Sequence, residues 1–329
     1  MKTLYKLFLA LSIIFMIGIA GCSKNDSSTN PAPVTDEQAL QSQIVHSDSL
    51  ANFINSEGVS LDDGATPQNP EYGIGKVNTL VPIVRYGRYI NWNNATRAFQ
   101  FDKQGDSVVI VTVITTLPGN LILAVGSDTS VVPDSLIRKP YTEINTRKIR
   151  FVRIASTSDP AQNWLPVSMT LMAGSTSPSP SASFHIVSVE FTASSDTIIT
   201  DPLNTWFKFG RPFHSGIPYV LVGDTVTVRV TIQSAYDSAE VVHLRHGIDG
   251  TEILGGRVLM YRESSSFSGG IYTRTYRRKF VARNFAVSHP QIKIARFSAI
   301  VDVFSYDSIH DDVAPFQNEV WGTPYITIK

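Results

Sequence analysis

Thr225-Val226-Thr227-Val228-Arg229-Val230-Thr231-Ile232 is the stretch on which the fold turns. Four branched apolar residues, at 226, 228, 230 and 232, alternate with Thr and Arg. Successive side chains of a strand point to opposite faces, so a period of two describes a half-buried strand. Branched residues also suit the pleated surface. Gly223-Asp224 just ahead supplies the turn into it. A second stretch, Val108-Val109-Ile110-Val111-Thr112-Val113-Ile114, is apolar at both parities. It reads as a strand covered on both faces, hence a central one.

Working outward, further strands are expected at Ile149–Ile154, Val167–Met172, Ile186–Phe191, Val241–Leu244, Tyr272–Ala282, Phe297–Phe304 and Pro324–Ile328. Short β-rich runs between Gly, Pro, Asp and Ser turns predict a mainly β chain of antiparallel, sandwich-like domains. A short helix precedes them. Thr35 and Gln38 have capping-box spacing, and Leu40, Ile44, Ala51 and Ile54 recur near helical intervals. Residues 60–73 read as loop. Gly174 to Ser183 (GSTSPSPSAS) has no large apolar residue and reads as a linker. The expected division is therefore a helix plus β-rich domain over 35–173, a linker over 174–183 and a second β domain over 184–329.

The halves share landmarks in the same order. Gly105-Asp106-Ser107-Val108 matches Gly223-Asp224-Thr225-Val226, and Arg147 to Pro160 has the length of Arg277 to Pro290. Either the domains are duplicated, or this is what a turn into a strand looks like. The second half, with its Val-rich strand at 225–232 and its closing Tyr325-Ile326-Thr327-Ile328, resembles an immunoglobulin-like or fibronectin-type sandwich. It lacks the cysteine–tryptophan–cysteine core of true immunoglobulin domains. The first half, a helix ahead of curved strands and Trp164, is similar to cone-shaped α+β domains of the nuclear-transport-factor-like type.

The N-terminus carries a different message. Lys2 and Lys6 precede an almost wholly apolar run from Leu7 to Ile19. That run is short of the roughly 20 residues of a membrane span, so residues 1–21 read as a signal peptide. It ends Ile19-Ala20-Gly21-Cys22, which resembles the lipobox of bacterial lipoproteins. Cys22 is the chain's one cysteine. The resemblance implies cleavage before Cys22, lipid on its thiol and membrane attachment through that lipid. Residues 22–34, rich in Ser, Asn and Pro, form the tether. Ser23 follows the cysteine where an Asp would resemble an inner-membrane retention signal, which implies the outer membrane.

Lys plus Arg and Asp plus Glu both number 28. Cleavage removes Lys2 and Lys6 and no acid, leaving 26 against 28 and a net charge of −2. That balance argues against a nucleic-acid partner. A single cysteine spent on anchoring leaves the body without a disulfide, a thiolate nucleophile or a cysteine metal site. No Gly-x-Ser-x-Gly, P-loop or dinucleotide fingerprint occurs, and no cofactor is expected.

The remaining candidates are few. His243 and His246 are separated by two residues, an odd strand offset that sends them to opposite faces. Asp307, Asp311 and Asp312, with His310, are the densest acidic cluster, a weak candidate for Ca²⁺ without EF-hand spacing. Ser264 to Gly270 reads as a flexible loop. On the strand Tyr272–Phe280, Arg274, Tyr276 and Arg278 fall on one side, a pairing suited to an acidic glycan or an acidic protein patch. The bland alternative is a sheet face with Tyr–Arg stacking against acids such as Asp302. Arg85, Tyr86, Arg88, Tyr89 and Trp92 repeat the pairing, and the four Trp side chains are either sugar platforms or core. The expectation is a lipid-anchored envelope protein acting as a non-enzymatic binding or structural module, whose partner is an envelope protein or a glycan. The alternatives are a carbohydrate-binding uptake component and a hydrolase with a dispersed site.

Overall fold

The computed structural model describes residues 35–46, 61–65, 83–126, 134–193, 196–209, 219–245, 257–282 and 294–328. The residues read as a signal peptide, Cys22 and the stretch read as a tether lie outside them. Helix α1 spans Asp36–His46. The Gln38 backbone N–H donates to Thr35 Oγ1 at 3.1 Å, the cap its spacing predicts. Ala39, Leu40 and Ile44 are fully buried. The acidic first turn, favoured by the helix dipole, is tied to the body by Asp36–Arg153 at 2.6 Å and Glu37–Lys103 at 2.8 Å.

The protein is mostly antiparallel β-sheet, in two sheets. Strand β1 (Leu61–Ala65) lies inside the stretch read as loop. It is followed by β2 (Ile83–Ile90), β3 (Thr96–Gln104), β4 (Val108–Val125) and β5 (Ser135–Arg153). Next come β6 (Trp164–Thr170), β7 (Met172–Thr176), β8 (Phe184–Thr192), β9 (Thr197–Ile199), β10 (Trp206–Lys208) and β11 (Tyr219–Leu221). Then follow β12 (Thr225–Ser234), β13 (Val241–Arg245), β14 (Arg257–Leu259), β15 (Tyr261–Ser268), β16 (Ile271–Val281) and β17 (Ile294–Phe304). A one-turn helix α2 (Tyr306–His310) leads to β18 (Asn318–Ile328). The larger sheet has 13 strands along the path β1-β2-β4-β5-β7-β18-β17-β13-β14, with β3, β6, β10 and β11 branching from it. One pair, β11 with β18, is parallel. The smaller sheet runs β15-β16-β12-β8-β9. The strand at 225–232 lies at its centre, with Val226, Val228, Val230 and Ile232 fully buried.

The ribbon of β4 and β5 is the longest element, 18 residues paired against 19. On its outer side β4 changes neighbour halfway. Residues 108–116 pair with β3 and residues 119–125 with β2. Pro118 sits in the gap, where its missing N–H costs no ladder bond, and its carbonyl accepts from Asn91 N at 2.8 Å. Gly119 follows because a Cβ there would lie 2.4 Å from the Tyr89 carbonyl oxygen and 2.7 Å from the Tyr141 ring. β5 changes neighbour as well, from β7 at 143–146 to β6 at 149–153.

Those changes give the sheet two kinds of interior. Val109, Val111, Val113, Ile149 and Phe151 join Trp321, Tyr325 and the inner face of the five-stranded sheet in one apolar core. Further along the ribbon Leu121, Leu123 and Tyr141 join Ile83, Tyr86, Val241, Phe304 and Phe316 in a second core. The sheet curls to make this second core, since the two ends of its path, β1 and β14, come into contact.

The stretch read as a linker, 174–183, is not free chain. Its first residues complete β7, which pairs with β5 on one side and β18 on the other. Pro180–Ala182 then form a 3-10 turn capped by Ser179. Small residues are required there for packing, not for freedom. A Cβ on Gly174 would lie 1.7 Å from Asn145 Oδ1, because the Asn145 side chain lies across the β7 backbone. The larger sheet therefore passes without interruption from the first half to the second. The matching turns at Gly105 and Gly223 both have positive φ, 69° and 96°, but they enter strands of different sheets.

Candidate functional site

The strand residues singled out for recognition, Arg274, Tyr276 and Arg278, stand on β16 beside the apolar core. Arg274 and Tyr276 are closed to solvent, at 1% and 0% exposure. Arg274 Nη1 donates to Glu240 Oε1 at 2.8 Å, and its Nη2 donates to the carbonyls of Tyr236 and Asp237, each at 2.8 Å. The Tyr276 hydroxyl donates to the other Glu240 oxygen at 3.0 Å. Arg278 is half-buried, donates to the Leu259 carbonyl at 3.3 Å and lies 5.0 Å from the Tyr261 ring centre. The expected ligand face is thus an internal clamp. Arg and Tyr line up on one side of β16 because Glu240 sits beneath them, and the 236–240 connection is fastened to the strand through that contact. The Asp302 partner suggested for this face instead serves Arg88.

The acidic cluster is also spoken for. Asp311 accepts the backbone N–H groups of Val313 at 2.8 Å and Ala314 at 3.1 Å, which folds its own turn. The carbonyls of Asp307, Ser308 and Asp311, where a hard cation would bind, receive the buried Lys139 ammonium instead. The ammonium sits at the carboxyl end of α2, where exposed carbonyls favour a cation. Burial lowers the Lys139 pKa, against the pull of the neighbouring aspartates. His310 stacks on Tyr306 with centroids 4.1 Å apart. Burial, then the nearby Lys139 charge, holds its pKa down at about 4. Among the described residues, no group of three or more His, Cys, Asp and Glu side chains is placed to hold a metal. Asp307 lies in the capped turn of α2, Asp311 closes it through its N–H to the Asp307 carbonyl, and Asp312 follows, exposed.

His243 is buried and shares a 2.7 Å hydrogen bond with the Tyr86 hydroxyl, joining β13 to β2 across the curl. His246 lies outside the described residues. Of the tryptophans, Trp164 and Trp321 are core, Trp206 is half-buried and Trp92 is exposed.

One polar group has no counterpart among the sequence candidates, although Arg88 and Asp302 are named there separately. Between the two apolar cores, Glu143 and Asn145 of β5, Arg88 of β2, Asp302 of β17 and Asn318 of β18 form a buried network. Arg88 Nη1 donates to Glu143 Oε2 at 2.5 Å and lies 3.2 Å from Asp302 Oδ2. Asn318 Nδ2 reaches Glu143 Oε2 at 2.6 Å and Asp302 Oδ1 at 3.0 Å, while Asn145 Nδ2 donates to Glu143 Oε1 at 3.0 Å. Burial disfavours the Arg88 charge, but Asp302 and Glu143 together more than offset it and raise its pKa. The one signal in the sequence was negative. At the inward positions 143, 145 and 147 of β5, polar residues interrupt an alternation that Tyr141, Ile149 and Phe151 otherwise maintain.

The far side of the five-stranded sheet and its edge hairpin are among the exposed surfaces. Rows of hydroxyls cross it in register, as in Ser188–Thr231–Thr275–Ser264. Beside them Glu263 bridges Arg229 at 2.9 Å and Arg277 at 2.7 Å. The stretch read as a flexible loop, Ser264–Gly270, is ordered hairpin. Gly269 and Gly270 have φ of 60° and 82°, the positive pair that a tight two-residue turn between twisted strands demands. All eight residues of β15 are exposed, including Phe267, whose ring stacks on Tyr272 at 4.5 Å. No family model matches the chain, and no curated protein sequence matches it.

Proposed function

We propose that the chain is a lipid-anchored module of the cell envelope that acts by contact and not by catalysis. Its lipid sits on Cys22, and the outer membrane is the destination that Ser23 implies. The observation that carries the reading is the division of polar side chains. The clusters of charge, around Arg88 and Arg274, are consumed by internal bonds. On the five-stranded sheet, exposed and half-exposed hydroxyls run in register, and the edge hairpin adds the exposed rings of Tyr261 and Phe267. Tyr89 and Trp92 are exposed at the larger sheet. In residues 184–329, β9-β8-β12-β16-β15 faces β18-β17-β13-β14, which supports the immunoglobulin-like reading of that half. Such sandwiches serve many functions, so the argument rests on the surface and not on the fold.

Two measurements test the proposal. Cys22→Ser should move the chain from the membrane fraction to the soluble one and remove the mass of the lipid; unchanged partitioning and mass would overturn the anchor. A photoreactive group at Phe267 in intact cells should give discrete cross-linked species that the same group at the exposed Val313 does not. Equal labelling from both positions would overturn the contact role. Retention on immobilised polysaccharides that fails on Trp92→Ala would move the role to glycan binding.

A further inference from the structure

The edges of the two sheets are protected unequally. Strand edges present unpaired N–H and C=O groups, and proteins commonly shorten, charge or cover them. β9 and β14, at the ends of their sheets, are three residues long. β3 carries Arg97, Asp102 and Lys103, and Lys103 is held by Glu37 of α1. β15 has none of these protections over Ser264-Ser265-Ser266-Phe267-Ser268. That run has no charge, no proline and no bulge. Its limits are set by a bulge between Arg262 and Ser264 at one end and the Gly269-Gly270 turn at the other.

We propose that this edge pairs with the same edge of a second copy of the chain, antiparallel about Ser266, to join the two five-stranded sheets. The proposal rests on the contact-module reading and names its partner. Three features select a second copy. First, an uncharged segment meets itself without repulsion, whereas a charged peptide would gain nothing from it. Second, the two-fold axis places small against large. Ser265 and Phe267 share the side of the sheet that carries Arg274 and Tyr272, their partners in register. In the paired state Phe267 lies opposite Ser265 of the other copy, and Ser264 opposite Ser268, so no two bulky side chains collide. The ring of Phe267, 60% exposed in the single chain, becomes covered. Third, the bulge and the turn confine pairing to five residues. A self-paired edge about a two-fold axis is closed, so the product is a dimer and not a filament.

The geometry gives a direct test. Antiparallel neighbours place facing Cα atoms roughly 4.5–5.5 Å apart. A disulfide spans about 4.4–6.8 Å. Ser266→Cys would face its own copy across the axis, and the natural Cys22 is taken up by lipid under the reading above. In the full chain purified from membranes, mild oxidation of Ser266→Cys should give roughly tenfold more disulfide-linked dimer than Thr231→Cys, which lies mid-sheet on the small sheet's outer face. Light scattering should show a dimer for the natural chain and a monomer for Ser266→Lys, which sets two ammonium groups at the axis. Both variants sit on exposed or half-exposed positions, so an unchanged melting temperature separates loss of pairing from loss of fold. A natural chain that is monomeric, with Ser266→Cys cross-linking no more than Thr231→Cys, overturns the proposal. Phe267-specific labelling of another protein in that case leaves the contact reading standing and removes the second copy from it.

Discussion

Arg88 and Arg274 are both buried with a carboxylate against them, yet their surroundings differ. Arg88 lies between two acids from separate strands, Glu143 and Asp302, and Asn318 bridges the same two acids. Arg274 meets one acid, Glu240, through Nη1 and gives Nη2 to two backbone carbonyls of the adjoining connection. Arg88 is thus a tie across the sheet, joining β2, β5 and β17, which are remote in sequence. Arg274 is a local staple that fixes how the chain leaves β12 and enters β13. The difference teaches that burial of a charge does not define its role; the number of elements converging on it does.

The comparison predicts unequal costs. Arg88→Met leaves two carboxylates facing each other in the core and should cost about 3–5 kcal/mol of stability, or prevent folding. Arg274→Met leaves one acid, which Tyr276 still hydrogen-bonds, and should fall at or below the lower end, about 3 kcal/mol. Urea denaturation of both variants measures the gap, and equal losses would erase the distinction between tie and staple. Gly174→Ala should come next, at about 1–3 kcal/mol, because the added methyl displaces Asn145 from Glu143. If its loss is unchanged in an Asn145→Ala background, Asn145 is not what the methyl strikes.

Smaller effects depend on pH and separate the two interiors. Glu319 of β18 accepts the Ile186 N–H of the other sheet at 2.9 Å and the Trp321 indole N–H at 3.1 Å. Burial nonetheless raises its pKa to about 7, against the lowering effect of both bonds. A raised pKa favours the protonated folded form. Its stabilisation is therefore complete below the ordinary value of 4.5 and is lost as pH rises through about 7. His310 has the opposite sign. With its pKa lowered to about 4, its stabilisation is complete above 6.5 and is lost as pH falls. Melting temperature followed across pH should lose its decline towards pH 7 in Glu319→Gln. His310→Gln should lose the decline on the acid side. If either variant leaves the corresponding limb unchanged, that group is not its source.

Much of the fold was readable wherever burial follows simple alternation. Val226–Ile232 and Val108–Val113 announce their strands because one apolar interior lies beneath them. The capped start of α1 was readable because a cap is a local bond. The failures share a cause. Ser264–Ser268 reads as loop because every residue there is exposed, so no alternation of apolar and polar residues marks the strand. Gly174 was read as slack because glycine looks the same in a linker and beneath a crossing side chain. The site was less legible still. Arg274 and Tyr276 were found as a pair, but whether they face water or Glu240 depends on a connection 34 residues earlier in the chain. Glu143, Asp302 and Asn318 carry no motif, since three strands meet there only after the sheet has curled.

The β4–β5 ribbon has a consequence for how the molecule comes apart. Its residues 109–113 line one core and its residues 121–123 line the other, within a single ladder. Neither interior can open without fraying hydrogen bonds that the other also needs. Separate cores would ordinarily mean separate foldons, each with its own opening energy. Here amide protection is expected to rise and fall along the ribbon as one quantity, and heating to give one transition for both interiors.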